Sequence, residues 1–224
     1  MNYYMWSNLN EQMRNLLQKR LRHPHTGIDW EAIEQLDSGM GSTIQCYQFL
    51  YGLVMMLHPK RIIEIGMNTG VSTIVMAQAL RNLNVPADHN IITIDPDRNT
   101  APKALEQLNQ FGLKKYVESY VLPSQQGIPI AIDKFGPFQM AFIDGDHSYA
   151  GVKSDYEMLK HVVPYLVLHD ANSQGVAQLL REICDGREVE IVRLLPFANG
   201  QQWSRGNVVY ENAPGFALVK GVAD

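Results

Sequence analysis

The sequence predicts an α/β fold: a mostly parallel seven-stranded sheet with helices on both faces and an antiparallel hairpin at the C-terminal end. Three observations predict it. From residue 61 onward, short β-branched runs alternate with helical stretches, the rhythm of a parallel sheet assembled from βαβ units. The last two apolar runs have no long helical segment between them, which reads as a hairpin. The chain has 224 residues, 46% hydrophobic and 19% charged, which suffices for one sizeable core and lacks the charge excess of a disordered chain.

Residues 7–22, SNLNEQMRNLLQKRLR, carry Leu9, Met13, Leu16, Leu17 and Leu21 as a helical stripe that must pack on something. Residues 1–40 are therefore read as a helical extension that caps a main domain of residues 41–224. A second short helix is expected at DWEAIEQL. A third begins at Ser42, where Ser42 and Gln45 fit a capping box, and is closed by Pro59. Its strongly apolar composition implies burial. Strands are expected at residues 61–65, 91–94, 117–122, 138–143 and 165–168, then at 189–195 and 216–219. The last two flank an irregular stretch containing Asn199-Gly200 and Arg205-Gly206-Asn207.

Composition narrows the partners. A formal net charge of -4 lacks the basic surplus that displaces counterions from a phosphate backbone, so no nucleic acid is expected. Cys46 and Cys184 stand far apart with no CxxC companion, which fits two small buried hydrophobes in a reducing compartment. The start, MNYYMWSNLNEQMR, has no basic region followed by an apolar core, and the longest apolar stretch, residues 49–57, is too short for a bilayer. A cytoplasmic location, a small-molecule substrate and no membrane partner are the expectations. The apolar N-terminal stripe is compatible with a homo-oligomer.

In open parallel sheets, ligands bind outside the carboxyl ends of the strands. The first strand ends in Glu64-Ile65-Gly66-Met67-Asn68-Thr69-Gly70, where glycines allow a tight turn and a close approach of backbone to ligand. The second ends at Asp95 in ITIDPD, where a carboxylate can accept hydrogen bonds from both hydroxyls of a ribose. Dinucleotide enzymes share that pair of features. Their usual signature, however, lacks an acidic residue two positions before the first glycine. Glu64 would repel a pyrophosphate and suits a ligand bearing an ammonium group, which favours S-adenosylmethionine over a dinucleotide.

The segment RIIEIGMNTGVSTIVMAQAL resembles the first motif of class I methyltransferases, and FIDGDHSYAGVKSDYEMLKHVVPYLVLHDAN resembles their fourth and fifth. The likeness is to the small-molecule O-methyltransferases: the catechol and caffeoyl-coenzyme A types and, around IDGDHSY, the macrocin O-methyltransferase and cephalosporin hydroxylase-like families. It covers about residues 40–220. The resemblance implies a Rossmann-like methyltransferase fold and transfer of a methyl group from S-adenosylmethionine to a hydroxyl of a small molecule. By position it places Glu64, Gly66, Asn68, Gly70 and Ser72 along the methionine part of the cofactor, Asp95 on the ribose and Ser124 or Gln125 beside the adenine. Asp144 would border the cofactor as well. Met40 either covers the methyl-donating end or plugs the core.

The resemblance also implies a metal site of Asp144 after the fourth strand and Asp170 after the fifth, with Asn172 or His169 nearby. Oxygen ligands favour a hard ion such as Mg2+. The sequence departs from the family pattern twice: His169 stands where a carboxylate is usual, and Ala171 separates Asp170 from Asn172. An imidazole there either admits a softer divalent metal or is no ligand at all. His147 matches the position of a general base, and an imidazole titrates in the range that suits removal of a hydroxyl proton.

Two other readings stand beside this one. Asp144, His147 and His169 can form the two-histidine, one-carboxylate set of an oxygenase-like enzyme if both imidazoles turn toward one point. The chain can also be a catalytically silent cofactor-binding module. The stretch 196–214, with Trp203 and Arg205, serves equally well as a cover over a substrate or as a subunit contact. Sugars, glycosides and phenols all remain as substrate classes.

Overall fold

The computed structural model describes residues 27–36, 44–185, 191–194, 203–205, 208–210 and 215–222. The expected helix at 7–22, Met40, Ser42 and most of the stretch 196–214 lie outside the described residues. The elements are α1 (Trp30–Leu36), α2 (Ile44–Leu57), β1 (Ile62–Ile65), α3 (Val71–Asn82), β2 (Ile91–Ile94), α4 (Ala101–Gln110), a single 3₁₀ turn (Lys114–Tyr116) and β3 (Val117–Tyr120). Then come α5 (Ser124–Phe135), β4 (Met140–Ile143), α6 (Tyr149–Leu159), β5 (Tyr165–Leu168), α7 (Gln174–Asp185), β6 (Ile191–Leu194), β7 (Trp203–Arg205), β8 (Val208–Tyr210) and β9 (Phe216–Lys220).

Seven strands form one sheet in the order β3-β2-β1-β4-β5-β9-β6. β1 to β5 are parallel, and β9 runs antiparallel to both β5 and β6. The expected C-terminal hairpin is thus the β6–β9 pair, with β9 inserted between β5 and β6. The register sets Ile65 opposite both Ile94 and Ile143, Ile143 opposite Leu168, and Ile94 opposite Tyr120. All five parallel strands therefore end at one level. Whatever follows them emerges along a single edge.

Each strand divides its side chains between two faces, as the two-residue repeat requires. Ile62, Ile91, Met140, Phe142 and Val167 join Trp30, Ile33, Leu50, Val54, Ile74 and Val75 in a core beneath α1, α2 and α3. Ile63, Ile92, Ile94, Ala141, Ile143 and Leu166 face a second core under α5, α6 and α7. Both faces are covered, which is why these strands are near-continuous in β-branched and aliphatic residues rather than alternating with polar ones. The first ten residues of α3, Val71 to Leu80, are all buried, because α2 packs over that helix. Trp30 stacks edge-on to Tyr51 at 5.6 Å, tying α1 into the first core.

The strands are shorter than expected at several ends: β1 starts at Ile62, β3 stops at Tyr120 and β4 starts at Met140. Apolar runs continue past the ladder because their ends still pack against helices; Phe138 is 3% exposed without belonging to β4. The third helix ends as read, with His58 in the left-handed region before Pro59. The irregular stretch before β9 contains a small β7–β8 ribbon, Trp203 opposite Tyr210 and Arg205 opposite Val208. Three-residue strands carry too few alternations to show in a sequence. No helix among the described residues is long and apolar enough to cross a membrane.

Candidate active site

The strand order reverses between β1 and β4, since β2 and β3 extend to one side of β1 and β4 and β5 to the other. That switch point opens a crevice at the carboxyl edge. Gly66 leaves β1 with φ 92°, Asn68 follows at φ 47° and Gly70 at φ 85°. A Cβ at Gly66 would overlap the Asp144 carbonyl, where the chain leaves β4. The glycine is thus demanded by the chain's own packing as well as by room for a ligand, the reason read from the sequence. At Gly70 a Cβ would stand 2.9 Å from Ala104 Cβ on α4.

Glu64 is fully buried. Ser72 Oγ donates to its Oε1 and Thr73 Oγ1 to its Oε2, both at 2.6 Å, so the carboxyl group grips the first turn of α3. Burial pushes its pKa up to about 7, against the hydrogen bonds from Ser72 and Thr73, while the charge of Asp144 adds to the rise. The residue read as a ligand carboxylate thus lies beneath the turn and shapes it from inside. Ser72 is likewise buried.

Asp95 leaves β2 only 9% exposed. The backbone N–H of Asn68 donates to its Oδ2 and that of Asp97 to its Oδ1, each at 2.8 Å. The carboxylate is held in one orientation, and each oxygen keeps acceptor capacity for a further donor such as a ribose hydroxyl. Ser124, half-buried, opens α5, and Gln125 beside it is exposed.

On the other side of the crevice, Asp144, His147, His169 and Asp170 converge. His169 Nδ1 lies 2.8 Å from Asp144 Oδ1 and 3.4 Å from Asp170 Oδ1. His147 Nε2 lies 3.2 Å from Asp144 Oδ1, and its Nδ1 lies 3.5 Å from Asp170 Oδ2. Asp170 adopts φ 50°, which turns its carboxylate back toward the two rings. Burial works against the charge of Asp144, yet His169 and His147 hold its carboxyl down at about 2. Burial also opposes a charge on His169, but Asp144, with Cys46 and Asp170, raises it well above the ordinary histidine range. His147 is raised in the same way, burial being outweighed by its hydrogen bond to Asp144 and the charge of Asp170. Asn172 is exposed on the turn two residues past Asp170.

Each of Asp144, His147 and His169 presents one donor atom, and the three lie within 4.8 Å of one another. Two imidazoles and a carboxylate suit a borderline transition ion better than the all-oxygen shell magnesium prefers. Sequence reading missed what braces the cluster. Cys46 on α2 hydrogen-bonds His169, and the His169 ring packs at 5.0 Å from Phe216 and 6.1 Å from Phe142. Gly175, in the first turn of α7, has no room for a Cβ because the backbone of His147, Ser148 and Tyr149 passes against it. Only the buried character of Cys46 was legible in advance.

Comparison with known proteins matches residues 63–171, the span from β1 to the turn after β5, to a family described as a methyltransferase domain. That segment is similar to such a domain. It is 33% identical over 100 residues to a catechol O-methyltransferase of Niastella koreensis, a match covering 44% of this chain and 43% of that protein. The chain spans less than half the length of the curated relatives it matches. Among solved structures, cofactor-bound Rv0187 from MTB superimposes with a TM-score of 0.66 at 20% identity, covering 94% of this chain and 96% of that one. The O-methyltransferase TomG from Streptomyces achromogenes, involved in tomaymycin synthesis and solved in complex with SAM, gives 0.63 at 21% identity, covering 86% and 89%. The described architecture thus has the Rossmann-like fold expected from the motifs.

Proposed function

We propose that the protein is an S-adenosylmethionine-dependent O-methyltransferase acting on a hydroxyl group of a small molecule. The observation that carries the reading is the contact at Gly66: the turn suited to the cofactor's methionine end lies so close against the main chain of Asp144 and Gly145, from which the acidic and histidine cluster projects, that not even a methyl group fits between them. A methyl donor and a proton acceptor on neighbouring strand exits meet the demand of methyl transfer, which is alignment of an oxygen with the methyl carbon. The catechol O-methyltransferase of Niastella koreensis and TomG carry names of the same activity, and they support it.

In this reading Asp95 accepts the ribose hydroxyls, Gly66, Asn68, Gly70 and Ser72 form the methionine side above buried Glu64, and Ser124 and Gln125 border the adenine. Asp144, His169 and Asp170, with Asn172 on the same turn, would hold a divalent ion. When bound, the cofactor supplies an electrophilic methyl group and the ion lowers the pKa of a hydroxyl. With a divalent ion on Asp144 and Asp170, those carboxylates would no longer favour the imidazolium, and neutral His147 would offer a ring nitrogen to the hydroxyl proton. Asp144 orients the ring by accepting a hydrogen bond from Nε2, which leaves Nδ1 to face the proton. A cytoplasmic setting and a small-molecule substrate complete the reading.

The test is calorimetric titration with S-adenosylhomocysteine, paired with a methyl-transfer screen across phenols, sugars and glycosides. Binding is expected in the wild type and lost in Asp95→Ala, and His147→Ala should abolish turnover while still binding. A folded wild type that binds neither S-adenosylhomocysteine nor S-adenosylmethionine ends the proposal. A second reading has one observation in its favour: both histidines do turn toward Asp144, the condition for a two-histidine, one-carboxylate iron enzyme. Stoichiometric iron binding, abolished by either His→Ala change in a protein without methyl transfer, would favour it.

A further inference from the structure

α2 carries no charged side chain over its 14 residues. One side of it is buried in the first core. The other, formed at helical spacing by Gln45, Gln48, Phe49, Gly52, Met55 and Met56, is half-buried or exposed. Met56 is 67% exposed, and a Cβ at Gly52 would meet nothing within 4 Å. A helix that borders water puts charges on that side, whereas a helix without them is covered all round. The outer face of α2 therefore has the composition of a covered surface and lacks a cover among the described residues.

The same chain holds a segment of matching form. At helical spacing, residues 7–22 put Leu9, Met13, Leu16, Leu17 and Leu21 on one side and Glu11, Lys19 and Arg22 on the other. Arg20 also falls on the apolar side, where its stem can lie along apolar surface while its head reaches water. As a helix, Leu9 to Leu21 spans about 18 Å, and Gln45 to Met56 spans about 17 Å. Residue 27 stands at the flank of the α2 face. A Cβ at Gly27 would lie 3.3 Å from Asn82 Oδ1, and Asn82 Nδ2 donates to the hydroxyl of Tyr51 at 2.8 Å, next to Gly52. Residues 23–26 bridge at most about 17 Å, so the segment can reach α2 of its own chain.

We propose that residues 7–22 dock as an amphipathic helix along the outer face of α2 in the same chain, with the apolar stripe against Phe49, Gly52 and Met56. Gly52, at the middle of that face, leaves room for the two helices to approach closely. A second copy seated on the same face would leave the stripe of residues 7–22 without an apolar partner. The cover rests on the candidate site through two rings: Phe49 lies 5.3 Å from Phe216, and Phe216 lies 5.0 Å from His169.

Limited trypsin digestion of the full chain, read by mass spectrometry, tests the docking, because Arg14, Lys19, Arg20 and Arg22 all lie in the segment and a docked helix is cut only when it opens. Met56→Glu and Gly52→Glu each put a charge on the α2 face, and Leu17→Glu puts one on the segment. Each should speed cleavage within residues 7–22 by about tenfold or more. Met56→Glu combined with Leu17→Glu should add little to either change alone, because both break one contact. Met56→Leu keeps an apolar side chain of similar size and should retain the wild-type rate. Gly52→Glu has a second readout: on an uncovered helix face it would raise the melting temperature, since glutamate favours helix over glycine, and on a covered one it should lower it. Should Met56→Glu fail to fold, Gly52→Glu and Leu17→Glu carry the test. Equal cleavage rates in wild type and in the folded α2 variants overturn the proposal. A wild-type cleavage rate that rises on dilution, or a dimer seen by light scattering that Met56→Glu makes monomeric, would assign the face to a second copy and overturn it as well.

Discussion

His169 Nδ1 stands 2.8 Å from Asp144 Oδ1, joining the exits of β4 and β5 through a pair that is nearly closed to water on the histidine side. His169 is 4% exposed, and Phe142 and Phe216 hold its ring on two sides. Removing one partner of a buried pair costs more than forming it gained, because the other charge is left without compensation.

The first prediction concerns that pair. The folded pKa of His169 is raised, so its contribution to stability is fully present below the unfolded value of about 6.5 and is lost as pH climbs through the raised one. Asp144 is lowered to about 2, so its share is present above the unfolded carboxyl value and lost only as pH falls toward 2. The pair should be at full strength between about pH 4 and 6.5. With the Asp144 side chain 25% exposed, His169→Ala should cost about 2–3 kcal/mol at pH 6, below the full range for a wholly buried pair. Urea unfolding at a series of pH values measures it. A variant with wild-type stability and an unchanged alkaline decline would refute the pairing.

Glu64 runs the opposite way from an ordinary carboxylate. Its folded pKa of about 7 lies above the unfolded value, so the folded state holds a proton between about pH 4.5 and 7 that the unfolded chain has released. Stability should decline as pH rises through that window, by an amount on the order of 2–3 kcal/mol. Glu64→Gln should flatten the decline and match or exceed the wild type at pH 8, although its amide must find new partners among Ser72, Thr73 and Thr93. If wild type and variant show parallel curves from pH 4.5 to 8, Glu64 is not the group responsible.

The parallel strands and their level ends were legible because helices cover both faces and leave nearly every strand position apolar, as in IIEI, IITI and MAFI. Asp95, Asp144 and Asp170 were legible because polar residues that stop such runs stand where the crevice must be. What a side chain leans on was not. Nothing in the sequence says that Glu64 faces α3 rather than solvent, since the hydroxyls that decide it lie eight and nine residues ahead, across a turn. Cys46 reaches His169 over 123 positions, and Tyr149 reaches Glu182 over 33. Contacts of that span follow from the packing of α2 and α6, which local periodicity cannot supply.

Gly66→Ala tests the tightest point of the fold. Alanine would be held at φ 92°, outside the ordinary left-handed well, and its Cβ would overlap the Asp144 carbonyl. Backbone strain alone costs about 1–3 kcal/mol, and the overlap with main chain cannot be relieved by turning a side chain. A total loss of about 3 kcal/mol or more is expected, with S-adenosylhomocysteine binding weakened in whatever protein folds. A melting temperature within about 2 °C of wild type would show that β1 and β4 separate easily at their ends, contrary to the packing described.

Gly175→Ala separates positioning from stability. An exposed helix position gains up to about 1 kcal/mol when glycine becomes alanine, so a gain would mean that the space is open. Here the added Cβ would press on the backbone of His147, Ser148 and Tyr149, and either α7 or the His147 loop must move. A shift of that loop carries His147 out of line with the substrate oxygen, and a misplacement of about 1 Å can cost on the order of a hundredfold in rate. The expected result is a fall in kcat of about tenfold or more, equivalent to about 1.4 kcal/mol in the barrier, with S-adenosylhomocysteine affinity changed by less than about twofold. Affinity should hold because Asp95 and the Gly66–Gly70 turn lie on the other side of the crevice. Equal losses in kcat and in cofactor affinity would instead indicate a general loosening of the strand ends, and His147 would lose its claim to be seated by α7.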